Sequence, residues 1–569
     1  MEKIKKLRKL FYKYKIDGFI IPKNDEFFGE YIPEFKDQLK YISGFSGSYG
    51  FALILKKKNI LFVDGRYTLQ AKEQSGKEFS IVNWPLKNSS SFLNLSKKEI
   101  GFNPKLFNGI TLSIFSKKLK CDFKPININL IKPKKNNLKF KKFFFLNKIA
   151  TGENNKNKID KVINNLKKNK MDFHFVTSSE NVAWLLNIRG NDSNYSPIPN
   201  SHLIINSKKK IYLFCEPNKI DKKFKQRLKN ITFLNINFID DFLDSISGKK
   251  IIVDNLTCSI HFKNILNKKN KIKQFTDPIY YFKSTKSKIE ILNTKKVHEK
   301  DGAALTKFIF WVKNNYKKKK ITEISAQEKL LKFRKSFSEF KSLSFPTISG
   351  SGPNGAIIHY NASKKNARIL RRGDIYLVDS GGQYEFGTTD VTRTISLGNS
   401  SKRIIDIFTR VLKGHISVAN YNIKKNTTGA KLDFVARKSL KEKKLDYAHG
   451  TGHGVGYYLN VHEGPQSISK FNKIKFLPGM ILSNEPGYYE KGKFGIRIEN
   501  LVFVKKIRNH FKFENLTQVP IEKSLINKKL MTKIEIRWLN NYHKNVYKKL
   551  KKYMNKNEIS HLKDYCSNI

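Results

Sequence analysis

The apolar positions of the chain recur in alternating helical and strand-like periods, and the pattern restarts twice. Ile4, Leu7, Leu10, Phe11 and Tyr14 lie three and four residues apart, so residues 1–14 read as an amphipathic helix. Short apolar runs at 18–21, 51–55 and 60–63 read as strands, the last ending at the turn Asp64-Gly65-Arg66. This alternation continues to about Leu130, where the lysine- and asparagine-rich run 131–142 reads as a linker. A second unit opens with a helix over 158–168 and a strand over 173–177, and runs to about Phe282. A third begins with a long helix over 289–312, and Ser325 with Glu328 has the spacing of a capping box for the next one. The breaks predict domains over 1–145, 146–283 and 284–569.

The third unit carries the chemistry. Residues 374–379 (DIYLVD) alternate, which places Ile375, Leu377 and Asp379 on one strand face. Gly381-Gly382 interrupts the run, and residues 388–396 (TTDVTRTIS) return as a second strand bearing Asp390. Residues 480–485 (MILSNE) and 495–504 (GIRIENLVFV) predict another strand pair, bearing Glu485 and Glu499. Two hairpins that each present two carboxylates hint at an internal duplication. Helices over 404–416 and 432–440, apolar at spacings of three and four, would cover one face of the sheet.

Composition narrows the class. At about 100–200 residues per domain, 569 residues correspond to three or four domains. Hydrophobic residues make up 39% and aromatics 12%, which excludes wholesale disorder. The net charge of +64 would ordinarily suggest a polyanion partner, but 96 of the basic residues are lysines and 15 are arginines. Nucleic-acid sites draw on arginine for bidentate phosphate and groove contacts. The lysines lie in short runs along the whole chain and read as a solvated coat, so no specific nucleic-acid partner is expected. Cys121, Cys215, Cys258 and Cys566 form no CxxC pair, which argues against a disulfide scaffold or thiolate metal site and for a reducing compartment. The N-terminus lacks a signal-peptide pattern and no apolar run is long enough to span a membrane, so a cytoplasmic protein without membrane attachment is expected.

Three familiar glycine motifs fail. Gly450, Gly452, Gly454 and Gly456 alternate and leave no GxGxxG frame. The run Gly350 to Gly355 has that spacing, but Pro353 and the strand-like residues 356–360 behind it oppose a phosphate-binding helix start. The run Gly44 to Ser48 lacks the closing glycine of a nucleophile elbow. Any one of the four carboxylates could be a strand-end residue reaching solvent, and a lone His453 could be a satisfied core histidine. The set is what matters. Four carboxylates end or line apolar strands, and the glycine-rich HGTGHGVGYYLNVHEGP supplies His449, His453 and His462. Four carboxylates and an imidazole are a hard, oxygen-rich donor set suited to Mn²⁺ and similar divalent ions. Four negative charges balance two divalent cations, whereas one ion would leave a buried net charge of −2. A paired-metal centre that acidifies a shared water, and hence hydrolytic chemistry, is expected.

The segments DSGGQYEFGTTDVTR, HGTGHGVGYYLNVHEGP, SNEPGYY and RIENLVFV resemble the Xaa-Pro aminopeptidase (aminopeptidase P) branch of the creatinase/prolidase/methionine aminopeptidase superfamily. The resemblance extends to SGFSGSYGFALIL with DGRYTLQA in the first unit and SENVAWLLNIRG in the second, as in the large three-domain form. It implies an α/β (α+β) chain of two creatinase-like domains followed by a pita-bread catalytic domain. It further implies metal ligation by Asp379, Asp390, His453, Glu485 and Glu499, with Asp390 and Glu499 bridging two ions, most simply Mn²⁺. His359, His449 and His462 match the histidines of the substrate cleft, and Glu485 the proton carrier. Arg497 matches an arginine behind the ligands, and Arg66 one that contacts peptide from the first domain. The implied substrates are peptides with proline at position two, and the implied assembly is a homodimer. A prolidase-like Xaa-Pro dipeptidase and a non-catalytic binding module on the same fold are the alternatives. If the lysine coat is solvated surface, duplex DNA should bind weakly and without sequence preference in a salt titration. Nanomolar, sequence-selective binding at physiological salt would contradict this.

Overall fold

The computed structural model describes residues 2–85, 93, 95–129, 141–508 and 510–569. All but the last two residues of the predicted linker 131–142 fall outside that set. The chain forms two compact units, Met1–Lys148 with Glu153–Tyr280, and Ile149–Gly152 with Tyr281–Ile569.

The first unit contains two six-stranded sheets with one plan. In the first sheet Gly18–Pro22, Phe51–Leu55 and Asn59–Val63 form an antiparallel meander, and Ser80–Asn83 joins its end in parallel. Glu99–Phe102 and Asp122–Pro125 add in parallel on the other side of Gly18–Pro22. The second sheet repeats this with Phe173–Val176, His202–Asn206, Ile211–Cys215 and Ile231–Asn235, then Lys250–Asp254 and Lys271–Phe275. The central strands are apolar without interruption because both faces are covered. Phe19, Ile21, Ala52 and Ile54 pack with Ile4, Leu7 and Phe11 of the helix Glu2–Tyr14. Ile20, Phe51 and Leu53 face the opposite core around Trp84, Phe107 and Phe115.

The second unit begins with the helix Lys288–Asn315, opened by a capping box of Ser287 and Glu290. The next helix, Glu323–Lys335, starts earlier than its sequence suggests. Thr322 is the cap and Ser325 is the third residue of the box, its hydroxyl accepting from the Thr322 N–H at 2.9 Å, so Glu328 is not needed. Ile348–Ser351, Ile375–Ser380 and Val391–Ser396 form an antiparallel three-stranded sheet. A six-stranded sheet runs in the order Asn422–Ile423, His510–Asn515, Asn500–Ile507, Ile481–Asn484, Gly452–Gly454 and Glu463–Ile468. The helix Lys402–Ala419 buries Ile407, Phe408, Val411 and Leu412 in the core that also holds Ile375, Ile496 and Ile498. No helix among the described residues is long and apolar enough to cross a membrane.

Two predicted strands are each two strands. Residues 388–396 divide into Gly387–Thr388, paired with Gly382–Tyr384, and Val391–Ser396, paired with Ile375–Ser380. Residues 495–504 divide into Phe494–Arg497, paired with Gly487–Glu490, and Asn500–Ile507, paired with Ile481–Asn484. Each segment serves two partners and must turn between them, and Asp390 and Glu499 sit in the two turns. Residues 356–360 are not strand either. Ala356 closes the 3-10 turn Gly352–Ala356 and residues 357–360 follow it; the turn's backbone lies so close to Phe494–Arg497 that a Cβ on Gly495 would be 1.8 Å from the Gly355 carbonyl oxygen. Gly495→Ala should therefore cost about 1–3 kcal/mol, the usual range for overpacking a tight contact. Urea unfolding should register it as a lower midpoint, and an unchanged midpoint would refute that backbone contact.

Candidate metal centre

The two strand pairs deliver their carboxylates to one place. Asp379 is the penultimate residue of Ile375–Ser380, and its strand partner is Thr392. The Thr392 hydroxyl donates to Glu499 Oε2 at 2.7 Å, and the Glu499 N–H donates to the Thr392 carbonyl at 3.2 Å, so the turns holding Asp390 and Glu499 are tied together. Glu485 directly follows Ile481–Asn484 and accepts from the Ser483 hydroxyl at 3.0 Å. A Cβ on Gly452 would lie 1.9 Å from the Ser483 carbonyl oxygen, and this close approach sets His453 beside Glu485.

The His453 ring fits a cation. Its Nδ1 faces the Gly454 carbonyl at 2.9 Å and must carry the proton there. Its Nε2 then lies 3.5 Å from both Asp390 Oδ2 and Glu485 Oε1. An imidazole lone pair among carboxylate oxygens is repulsive unless positive charge lies between them. Donor atoms of Asp390, His453 and Glu499 all come within 4.8 Å of one another. Asp379 Oδ1 and Asp390 Oδ1 are buried with no hydrogen-bond partner within the protein. Burial first, and then the neighbouring carboxylates, push Asp390 and Glu499 well above the usual carboxylate range. The donor set, the orphaned oxygens and the tautomer fit hard or borderline divalent cations.

A set of hydrogen bonds surrounds this group. Arg497 donates through Nη2 to Asp379 Oδ2 and through Nη1 to the Tyr489 hydroxyl, both at 2.5 Å, and through Nε to the Thr392 hydroxyl at 3.1 Å. His449 Nδ1 faces the Gly450 carbonyl at 2.7 Å, so its Nε2 accepts from the Tyr489 hydroxyl at 2.9 Å. The His462 and His453 rings meet edge to face at 4.3 Å. His359 is half-buried and follows the turn that rests on Gly495. Arg66 lies in the first unit, where Asp64 holds its guanidinium in a fork at 2.7 and 3.0 Å.

The sequence did not single out Tyr489, Thr392 or Arg393. Tyr489 lies within SNEPGYY, but nothing in that run sets it apart from Tyr488. Arg393 is buried and donates to the carbonyls of Thr392, Glu499, Val519 and Pro520 and to the side chains of Asn500 and Tyr542. It thereby fixes the backbone at Glu499.

Comparison with known proteins shows the family. Models of the creatinase/prolidase N-terminal domain match residues 3–129 and 132–290. That of metallopeptidase family M24 matches 293–506, and that of the C-terminal region of peptidase M24 matches 509–569. The fold and site thus define a metallopeptidase of family M24 preceded by creatinase-type domains. The chain is 36% identical to Xaa-Pro aminopeptidase 1 of Dictyostelium discoideum, over 99% of this chain and 96% of that one. It is 34% identical to the probable Xaa-Pro aminopeptidase P of Coprinopsis cinerea, over 96% and 94%. X-prolyl aminopeptidase from Caenorhabditis elegans, described as a cytosolic enzyme with a di-nuclear active site, superposes with a TM-score of 0.94 at 30% identity, covering 100% of this chain and 99% of that one. The prolidase of Pyrococcus horikoshii shares the fold, with a TM-score of 0.53 at 24% identity over 64% of this chain and 99% of its own. The chain belongs to the Xaa-Pro aminopeptidases of metallopeptidase family M24.

The raised carboxylates give a pH dependence with a definite sign. Without cations the folded chain binds protons at Asp390 and Glu499 more tightly than the unfolded chain, whose values lie near 3.8 and 4.5. Their contribution to stability is present below those values and is lost as pH rises through the raised ones. Bound cations must displace the same protons. The difference in melting temperature between metal-loaded and chelated protein should therefore widen from pH 5 to pH 8. A constant difference would mean that these carboxylates are already ionised in the chelated protein.

Proposed function

We propose that this chain is a dinuclear metallo-aminopeptidase that removes the N-terminal residue from peptides with proline at position two. The observation that carries the reading is His453 Nε2 held 3.5 Å from both Asp390 and Glu485, with donor atoms of Asp390, His453 and Glu499 within 4.8 Å of one another. Family membership over nearly the full chain supports the substrate class. Asp390 and Glu499 would hold both ions, Asp379 would complete one site, and His453 with Glu485 the other. Two divalent ions held there, which we take to be Mn²⁺, would supply Lewis acidity toward the scissile carbonyl and lower the pKa of water.

The remaining steps fall to the chain's own residues. The bond before proline is a tertiary amide without an N–H, so recognition cannot rely on a donor from it. His359, His449 and His462 line the substrate cleft, and a cleft histidine stabilises the developing oxyanion. Glu485 carries a proton to the leaving proline nitrogen. Arg497 holds Asp379 in orientation through their 2.5 Å contact. Arg66, on the first of three domains over 1–145, 146–283 and 284–569, contacts bound peptide. The working form is a cytosolic homodimer.

Hydrolysis of an Xaa-Pro-Xaa tripeptide is the direct test, because a strict Xaa-Pro dipeptidase requires a free carboxylate on proline and rejects it. Chelation should abolish the activity and Mn²⁺ should restore it. Alanine at His359, His449 or His462 should lower kcat by about 10²–10⁴-fold with metal content intact. His453→Ala should lose metal, and Arg66→Ala should raise KM more than it lowers kcat. Cleavage of dipeptides alone would replace this reading with a prolidase-like one, and full activity after exhaustive chelation would end both.

A further inference from the structure

Between the helix Gly429–Lys441 and the strand Gly452–Gly454 the chain runs through residues 446–451 without regular structure, and His449 lies in the middle of that run. Gly450 and Gly452 flank it closely and offer no side chain to pack, so something else must fix the backbone. Arg437 does so with every donor it has. Its Nε donates to Asp433 Oδ2 at 2.8 Å and its Nη2 to Asp433 Oδ1 at 3.0 Å. The other Nη2 proton goes to the His449 carbonyl at 2.6 Å. The two Nη1 protons go to Asp446 Oδ1 at 2.7 Å and the Tyr447 carbonyl at 2.8 Å. A guanidinium has five N–H groups, and all five are placed.

Asp433 extends the grip by one more alternate residue. Its Oδ1 accepts from the Thr451 hydroxyl at 2.7 Å and from the Thr451 N–H at 3.3 Å. Because the Thr451 proton is given to Asp433, the Tyr447 hydroxyl donates to Thr451 Oγ1 at 2.5 Å. The Tyr447 ring lies 3.8 Å from the Arg437 guanidinium carbon on one side and 4.9 Å from the His449 ring on the other. The Thr451 carbonyl accepts the Glu485 N–H at 2.8 Å. One ion pair on one helix therefore holds Tyr447, His449 and Thr451 by their backbones, and through Thr451 it reaches Glu485.

We propose that Arg437 and Asp433 are positioning residues that fix the His449 ring relative to Glu485. This rests on the reading of His449 as a substrate-facing residue. The fork geometry is what matters, so charge alone does not suffice. Lysine at 437 keeps the charge but has no planar fork and too few donors to serve both carbonyls and both carboxylates.

The test is a double-mutant cycle in the full-length, Mn²⁺-loaded enzyme with an Xaa-Pro-Xaa tripeptide. Arg437→Met should lower kcat at least about tenfold, with little change in KM, and Arg437→Lys should not restore it. In a His449→Ala background the same substitution should cost less than about twofold, because coupled residues are not additive. Metal content should stay at the unsubstituted level throughout. Should Arg437→Met fail to fold, the isosteric Asp433→Asn takes its place in the cycle. The ring ¹⁵N signals of His449, recorded with diamagnetic Zn²⁺ in place of Mn²⁺ and assigned among the 12 histidines by their loss in His449→Ala, should shift in either variant. Equal loss in both backgrounds, loss that tracks metal content, or unmoved ring signals would overturn the proposal. If His449→Ala itself leaves activity intact, its substrate-facing role falls, and the ring signals alone then decide the clamp, shifted in its favour and unshifted against it.

Discussion

Four carboxylates cannot stay ionised in a buried pocket without positive charge among them, and that constraint organises the catalytic unit. Burial penalises each charge, and each neighbour penalises the next. Arg497 answers part of the demand by pairing with Asp379, while Asp390 has the His453 ring as its ion-pair partner and Glu499 accepts from the Thr392 hydroxyl. The strain is resolved by cations or by protons. The two turns that carry Asp390 and Glu499 meet through Thr392, and Arg393 crosses from one strand pair to the backbone at Glu499. Neutral donors and two arginines, Arg497 on Asp379 and Arg393 on the backbone at Glu499, thus hold the carboxylates together and leave oxygens available to metal.

The same logic explains why the two strand pairs look alike. In each, a strand ends at a carboxylate, a small hairpin follows, and the return strand begins one residue after a second carboxylate. The hairpin draws the chain away from the sheet and brings it back with a turn, and a turn is where a side chain can be aimed out of the strand alternation. Asp390 and Glu499 occupy those turns.

This is also where sequence reading ran short. The fold class was legible because apolar alternation and helical spacing report burial directly, as in residues 1–14 and 374–379. The four carboxylates stood out because each interrupts or ends an apolar run. The breaks at Asp390 and Glu499 did not, since Ile395 and Ile498 continue the apolar pattern on either side. Thr392 and Ser483 read as ordinary strand residues, Tyr489 falls in the connection between two predicted strands, and the Thr392–Glu499 bond spans 107 residues of sequence. Arg437 lies in a helix legible only by its apolar spacing, and the fold reveals that it grips the His449 segment. Pattern shows which residues are buried; the partners of a buried polar group come from elsewhere in the chain.

The central claim is that these carboxylates and His453 hold two divalent ions through Asp390 and Glu499 together. Metal analysis of the purified protein, beside Asp390→Asn prepared in the same way, tests it most directly. Two ions per chain in the native sequence and almost none in Asp390→Asn are predicted. A native protein that takes up no more than one ion, or an Asp390→Asn protein that keeps two, would contradict the account.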